Sequence, residues 1–342
     1  MKKTSSDNPI FFLELDDFIQ SIPKYPLVQT VSANRTSTHG IYVNSPTAKP
    51  DLLENYLSHY SLEIESVDHA AHYEIWQSSI DGYRIVEHRW HAKQPNGKHI
   101  ILCHGYFDHT LLYGKVIRWA LSQGYCIHGF DLPGHGLSSG EPASIDSFDQ
   151  YSRVLAHIIN REQYSHTLCL GQSTGCAVII NALLDTSIIP EMSGTIEKII
   201  LLAPLVRSIH WQVLRWPYQL LHPFIPSIKR AFVDSSHDKE FNDFLHHNDP
   251  LQSTKLPLNW LGAMDEWIVK IKTLHPNDQL ACVIIQGTKD NTVDYHHNTQ
   301  QIQRCLPKTR IDLIDGAYHH LANESEPYWR EIKNALNRHI NA

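Results

Sequence analysis

From His69 onward, short apolar runs alternate with segments of helical period, and that alternation leaves very few architectures open. The runs are "HIILCHG", "GYCIHGFDL", "HTLCLGQ", "IEKIILLAP", "LACVIIQG" and "RIDLID". Interleaved with them are "LYGKVIRWALSQ", "SFDQYSRVLAHIIN", "TGCAVIINALLD", "HNTQQIQRCL" and "EPYWREIKNALNRHI". A strand that is apolar along its whole length, rather than at every second residue, has to be covered on both faces. Helices recurring between such strands supply the cover. The sequence therefore predicts an α/β fold, a mostly parallel sheet flanked by helices. Ahead of these runs, "HYEIWQSS" and "YRIVEHRWHA" alternate and are joined by "IDG", which predicts a hairpin.

Two stretches fall outside the alternation. Residues 204–275 contain no strand-like run, and they carry Trp211, Trp216, Tyr218, Phe224, Phe232, Trp260 and Trp267 in amphipathic, proline-broken text. They read as a helical lid over one end of the sheet. Residues 1–68 are punctuated by Pro23, Pro26, Pro46 and Pro50, and "TVSANRTST" has no usable period. Helical patches are expected there at "FLELDDFIQSI" and "DLLENYLSHY". The expected organisation is a partly helical N-terminal extension over 1–68, a core built from 69–203 and 276–342, and the lid over 204–275.

Bulk properties narrow the function classes. Against 36 Asp and Glu stand 29 Lys and Arg, a net charge of −7, so no basic excess exists to neutralise a nucleic-acid partner. The six cysteines mostly sit inside apolar runs and form no close pair, which predicts buried free thiols and a reducing compartment. The apolar run near the N-terminus is broken by Glu14, Asp16 and Asp17, unlike a secretory signal, and no run approaches the ~20 residues of a membrane span. The expected location is cytoplasmic. His69 with His72, His246 with His247 and His296 with His297 tempt a metal reading. No Cys, Asp or Glu joins them at ligand spacing, so no metal and no cofactor is expected. His104 and His135 are expected to brace loops near the site.

Gly171-Gln172-Ser173-Thr174-Gly175 matches G-x-S-x-G and lies between the strand-like "TLCLG" and the helix-like "TGCAVIINALLD". Strand, sharp turn and helix in that order are what a nucleophile elbow requires. A serine needs a base and the base an orienting acid, since a free hydroxyl is a poor nucleophile at neutral pH. In chain order the acid falls after "LACVIIQG", at Asp290; Asp294 competes but is placed to cap the following helix. The base falls after "RIDLID" in "GAYHHLANE", where His319 and His320 are adjacent and residue chemistry does not choose between them. Backbone N–H groups for an oxyanion hole are offered by Thr174 and, from the loop after "IILC", by Tyr106.

The segment "HGYFDHTLLYGKVIRWALSQGYCIHGFDLPGHGLSSGEPASIDSF", with "GQSTG", "IIQGTKDNTVD" and "GAYHHLANE", resembles the α/β-hydrolases. More narrowly it is similar to their lysophospholipase and monoacylglycerol lipase branch, which includes serine aminopeptidase-like members. The resemblance covers about residues 69–342. It implies Ser173 as nucleophile, Asp290 as acid and His319 as base, the histidine lying three after Gly316 and followed by Asn323-Glu324. It also implies Tyr106 and Thr174 as oxyanion donors. Gln172 stands where the family often has His, and Cys176 where it often has Gly.

The expected activity is hydrolysis of lipid carboxylic esters through an acyl-enzyme. Another acyl enzyme with the same triad (thioesterase, acyltransferase or aminopeptidase) is the alternative, and a non-enzymatic ligand-binding protein on this fold is a more distant one. An aminopeptidase would need an acidic group for the substrate amine, for which 204–275 offers Asp234, Asp238, Glu240, Asp243, Asp265 and Glu266. The expected partner is a small-molecule or lipid ester, and a Trp-rich lid is compatible with peripheral membrane contact.

Overall fold

The computed structural model describes residues 14–25, 29–32, 41–43, 50–64, 66–188 and 196–340. In chain order its strands begin with β1 (Gln29–Ser32), β2 (Ile41–Val43), β3 (Ala70–Ile80), β4 (Tyr83–Ala92), β5 (His99–Cys103) and β6 (Cys126–Phe130). Then come β7 (Thr167–Gln172), β8 (Ile196–Leu202), β9 (Ser227–Lys229), β10 (Lys255–Pro257), β11 (Ala281–Gly287) and β12 (Arg310–Ile314). Ten of them form one sheet in the order β12-β11-β8-β7-β5-β6-β4-β3-β1-β2. The run from β12 to β6 is parallel, and β4, β3, β1 and β2 complete it antiparallel.

The parallel strands show why their sequences are continuously apolar. Ile100 and Leu102 of β5, Leu168 and Leu170 of β7, and Val283 and Ile285 of β11 enter a core on one face. Their neighbours Ile101 and Cys103, Cys169, and Cys282 and Ile284 enter a second core on the other. The first core is closed by α3 (Gly114–Ser122) and α10 (Glu326–Ile340), the second by α4 (Phe148–Glu162), α5 (Thr174–Leu184) and α9 (Tyr295–Cys305). Between β3 and β4, Asp81 and Gly82 both take positive φ, 51° and 81°, the two-residue turn whose twist suits a hairpin.

Ahead of β3, α1 (Leu15–Ser21) and α2 (Pro50–His59) bury Phe18, Leu53, Tyr56 and Leu57 in the first core. The chain there also adds β1 to the sheet, with Thr30 opposite Glu74, inside "TVSANRTST" where no strand is expected. Residues 12–13 of the expected first helix and 33–38 of that stretch lie outside the described residues. Four residues in a row are too few for a period to show, and pairing with β3 supplies the strand that local sequence does not specify.

Between β8 and β11 the chain forms α6 (Trp211–Leu221), β9, α7 (Lys239–His247), β10 and α8 (Leu258–Lys270). The expectation that 204–275 holds no strand is corrected by the ribbon of β9 and β10, with Ile228 opposite Leu256. Three residues per strand again leave no pattern to read. Glu87 of β4 is fully interior: it accepts from Trp76 Nε1, Ser78 Oγ and both terminal nitrogens of Arg161, and pairs with His128. Burial alone would raise its pKa, but His128 and Arg161 outweigh it and hold it at about 2.

Candidate active site

At the end of β7 the chain turns through Ser173, whose φ of 53° and ψ of −113° lie outside the regions a serine ordinarily takes. Three backbone bonds hold it there: its N–H donates to Leu202 at 2.9 Å, and its carbonyl accepts from Cys176 at 3.0 Å and Leu205 at 3.1 Å. The flanking glycines are needed for space. A Cβ on Gly175 would sit 2.1 Å from the Cys103 carbonyl oxygen, and one on Gly171 2.8 Å from the Cys176 nitrogen. Although Ser173 is the N-cap of α5, its hydroxyl makes no capping bond. A serine there only to cap the helix would spend the hydroxyl on it.

That hydroxyl lies 3.0 Å from His319 Nε2, and His319 Nδ1 lies 2.8 Å from Asp290 Oδ2. The carboxylate accepts at Nδ1, so the imidazole carries its proton there and leaves Nε2 free to accept from serine. Asp290 also accepts from Gln286 Nε2 at 3.0 Å and from the N–H groups of Thr292 and Val293 at 2.9 and 3.0 Å. Burial pushes its pKa up, but the interaction with His319 and these donors more than offset that and hold it below the ordinary carboxylate range.

The neighbours of these residues face elsewhere. His320 turns to Asp108, with Nε2 3.2 Å from its Oδ2. Asp294 caps α9, accepting from the His297 N–H at 3.3 Å, and pairs with Arg207 at 2.6 Å. His319 is also fixed from below: Gln172, next to Ser173, donates through Nε2 to the His319 carbonyl at 2.9 Å. Buried Glu324 accepts from the Tyr318 and His237 N–H groups at 2.8 and 3.0 Å, pinning the histidine loop to the chain at 236–237.

The loop after β5 packs against the elbow. A Cβ on Gly105 would lie 3.5 Å from the Ser173 Cβ. His104 holds this loop in place, since its Nε2 accepts from the Leu132 N–H at 2.9 Å, leaving Nδ1 to donate to the Gly105 carbonyl at 2.8 Å. Burial lowers the His104 pKa and keeps the ring in this neutral form. The ring of Tyr106 stacks on Trp260 of α8 at 3.7 Å, and its hydroxyl donates to the Ala143 carbonyl.

Ser173, Tyr106, Thr174 and His319 line a cavity of about 490 Å³ whose wall is largely apolar, including Leu214, Leu221, Leu261 and Met264. None of the six acids 234, 238, 240, 243, 265 and 266 is among its lining residues; Asp265 binds Arg215 and the Trp211 indole N–H instead. Sequence reasoning missed three groups at this site: Gln172 as a brace, Trp260 as the support of Tyr106, and Arg230, which also lines the cavity. The G-x-S-x-G spacing marks Gln172 only by adjacency, and no local pattern marks the other two.

All six cysteines are unpaired, and five of them are buried. Two clusters away from the cavity bring potential metal ligands together, His72 with Glu74 and His91, and Glu87 with His128 and Glu162. In both, arginines already neutralise the carboxylates, Arg89 at Glu74 and Arg161 at Glu87 and Glu162, so a cation would have to displace a guanidinium. Among the described residues no helix is long and apolar enough to cross a membrane.

The profile of the family described as serine aminopeptidase, S33, matches residues 94–326. A monoglyceride lipase homolog of monkeypox virus is 24% identical over 249 residues, 70% of this chain and 87% of that protein. Among solved structures, a soluble variant of Saccharomyces cerevisiae monoglyceride lipase in complex with a substrate analog superposes with a TM-score of 0.66 at 18% identity. It covers 77% of this chain and 94% of that one. The Paleococcus ferrophilus monoacylglycerol lipase gives 0.59 at 18% identity, covering 74% and 96%.

Proposed function

The chain belongs to the α/β-hydrolases, in the serine aminopeptidase S33 family and its monoacylglycerol lipase-like branch, and on that footing we propose that it hydrolyses carboxylic esters of lipids through an acyl-enzyme on Ser173. The observation that carries this reading is the unbroken chain of contacts Ser173–His319–Asp290, 3.0 and 2.8 Å, whose serine and histidine line a largely apolar cavity. Ser173 Oγ attacks the ester carbonyl while His319 Nε2 takes its proton, and the same nitrogen returns it to the departing alcohol. Asp290 keeps the imidazole in the useful tautomer and stabilises its charged form. The N–H groups of Tyr106 and Thr174, the latter at the N-terminus of α5, receive the oxyanion. Water then attacks the acyl-enzyme and releases the acid.

The apolar wall favours an acyl chain, and the relatives' names point to glycerol esters. A peptidase reading is weakened because no acid of 204–275 reaches the cavity to hold a substrate amine. Thioesterase and acyltransferase chemistry would use the same triad. We assign residues 204–275 as the lid, with α6 carrying apolar side chains on two sides: Leu214, Pro217 and Leu221 line the cavity while staying open to solvent, and Val213, Trp216 and Leu220 are more exposed still. A helix apolar on both sides suits a lipid surface outside and an acyl chain inside. The deciding experiment is fatty-acid release from a monoacylglycerol and from the matching lysophosphatidylcholine, with Ser173→Ala alongside. Release by the native protein and none by a folded Ser173→Ala variant is expected; equal release by both would refute the assignment.

A further inference from the structure

Arg230 follows β9 and is the one lysine or arginine among the residues lining the cavity. Its guanidinium carbon lies over the rings of Phe107 and Phe232, 3.7 and 4.3 Å from their centres. One nitrogen, Nη1, donates to Gln252 Oε1 at 2.7 Å and to the Ser253 carbonyl at 3.2 Å. Among the described residues no carboxylate stands within ion-pair distance of it. Asp108, the one carboxylate lining the cavity, is committed to the Tyr113 hydroxyl at 2.7 Å and to His320 at 3.2 Å. The other cationic side chains of this stretch that lie nearby in sequence do not serve the cavity. Arg207 is bound to Asp294, Arg215 to Asp265, and Lys229 is exposed and does not line it.

Burying a guanidinium without a direct ion-pair partner costs free energy; burial pushes this one down to about 10 although Asp108 and Asp249 attract it from beyond ion-pair distance, and it still carries its proton at neutral pH. Stacking on two rings rigidifies the planar fork and leaves Nε and Nη2 without a protein acceptor among the described residues. Phe107 directly follows Tyr106, so this cation packs on the loop whose Gly105 lies against Ser173.

We infer that Arg230 is a specificity-determining residue that binds an anionic oxygen group, phosphoryl or carboxylate, carried within a few bonds of the scissile ester. The inference rests on the serine-hydrolase reading above and narrows its substrate class from lipid esters in general to those bearing a negative charge near the ester. A phosphate of a lysophospholipid and a carboxylate of a dicarboxylic half-ester present the same chemistry to a guanidinium fork.

Two substrate pairs separate those sources: 1-acyl lysophosphatidic acid against the matching monoacylglycerol, and monomethyl succinate against methyl butyrate. The readout is the ratio of kcat/KM within each pair. Arg230→Gln should lower that ratio roughly 10- to 100-fold in at least one pair, the range of one lost charge-assisted hydrogen bond, and mainly through KM. Arg230→Lys, which keeps the charge without the fork, should restore part of it. A fall confined to the first pair assigns a phosphate, and one confined to the second a carboxylate. Ratios unmoved in both pairs, or both members of each pair falling together, would overturn the inference. Labelling of Ser173 by a fluorophosphonate keeps the two readings apart. Failure to label the native protein removes the hydrolase assignment itself, whereas intact labelling with unmoved ratios removes only the role of Arg230.

Discussion

Replacing Asp290 by Asn should reduce turnover about 10⁴-fold while leaving the protein folded. The carboxylate accepts four hydrogen bonds, from His319 Nδ1, Gln286 Nε2 and the Thr292 and Val293 N–H groups. An asparagine can satisfy the two backbone donors with its carbonyl oxygen. Its amide nitrogen then occupies the position of Oδ2, facing His319 and Gln286 with hydrogens. His319 can answer a donor only by shifting its own proton to Nε2, and Nε2 is the atom 3.0 Å from Ser173 Oγ. The nucleophile then faces an N–H instead of a lone pair and loses its base. A factor of 10⁴ corresponds to about 5.4 kcal/mol of barrier. The unmatched Gln286 contact should cost about 1–3 kcal/mol of stability, well within what a domain of this size tolerates. The assay is kcat on a chromogenic short-chain ester, with urea unfolding in parallel. Asp294→Asn is the control, since Asp294 caps α9 and pairs with Arg207. It should cost about 1 kcal/mol of stability and leave turnover near the native value. A variant at Asp290 that keeps more than about a tenth of native kcat, far above the 10⁴-fold expectation, would refute the reasoning. So would equal damage from Asp294→Asn.

Gly175→Ala places a methyl 2.1 Å from one backbone oxygen and 2.6 Å from another, neither of which can rotate away. A loss of about 3 kcal/mol in urea unfolding is expected, and less than about 1 kcal/mol would mean the elbow has more room than its geometry shows. Stability should also fall on acidification. Glu87, held at about 2 against 4.5, contributes above pH 4.5 and loses that contribution as pH falls towards 2. His135, pushed by burial to about 3 from 6.5, stays neutral in the fold while the unfolded chain takes a proton, so stability declines from pH 6.5 downward. His91, raised to about 9 although burial opposes it, acts in the other direction, contributing below pH 6.5 and fading as pH rises to 9. Unfolding free energy should therefore peak near neutrality, and a flat profile between pH 7 and 4 would contradict these assignments. Phe224, 83% exposed just beyond α6, should insert if the proposed lid meets lipid. Phe224→Asp should weaken vesicle co-sedimentation at least tenfold, the loss of about 1.5–3 kcal/mol of burial, and unchanged binding would dismiss the lipid contact.

Much of the architecture was legible because it is written in local repetition. Both-face burial makes the middle residues of β5, β7, β8 and β11 apolar in succession rather than in alternation, and the strand–helix order then leaves little choice but a parallel sheet. The elbow was legible for a similar reason, since Gly171 and Gly175 have to be small where strand and helix close to van der Waals distance. The loops that carry an acid and a base follow from chain order alone.

What stayed hidden depends on residues far apart in the chain. His319 and His320 are chemically identical neighbours in one loop. They differ only in that one meets Asp290 and Ser173, 29 and 146 positions away, and the other meets Asp108. Asp290 and Asp294 differ likewise, through His319 for one and Arg207 for the other. β1, β9 and β10 are too short to carry a period and exist because a partner strand lies alongside. Arg230 acquires its meaning only when folding brings Phe107 beneath it and leaves no carboxylate of the described residues within ion-pair distance. Sequence records the constraints each segment places on itself; which side chains face one another, and which charge is left unanswered, is decided only when the segments pack.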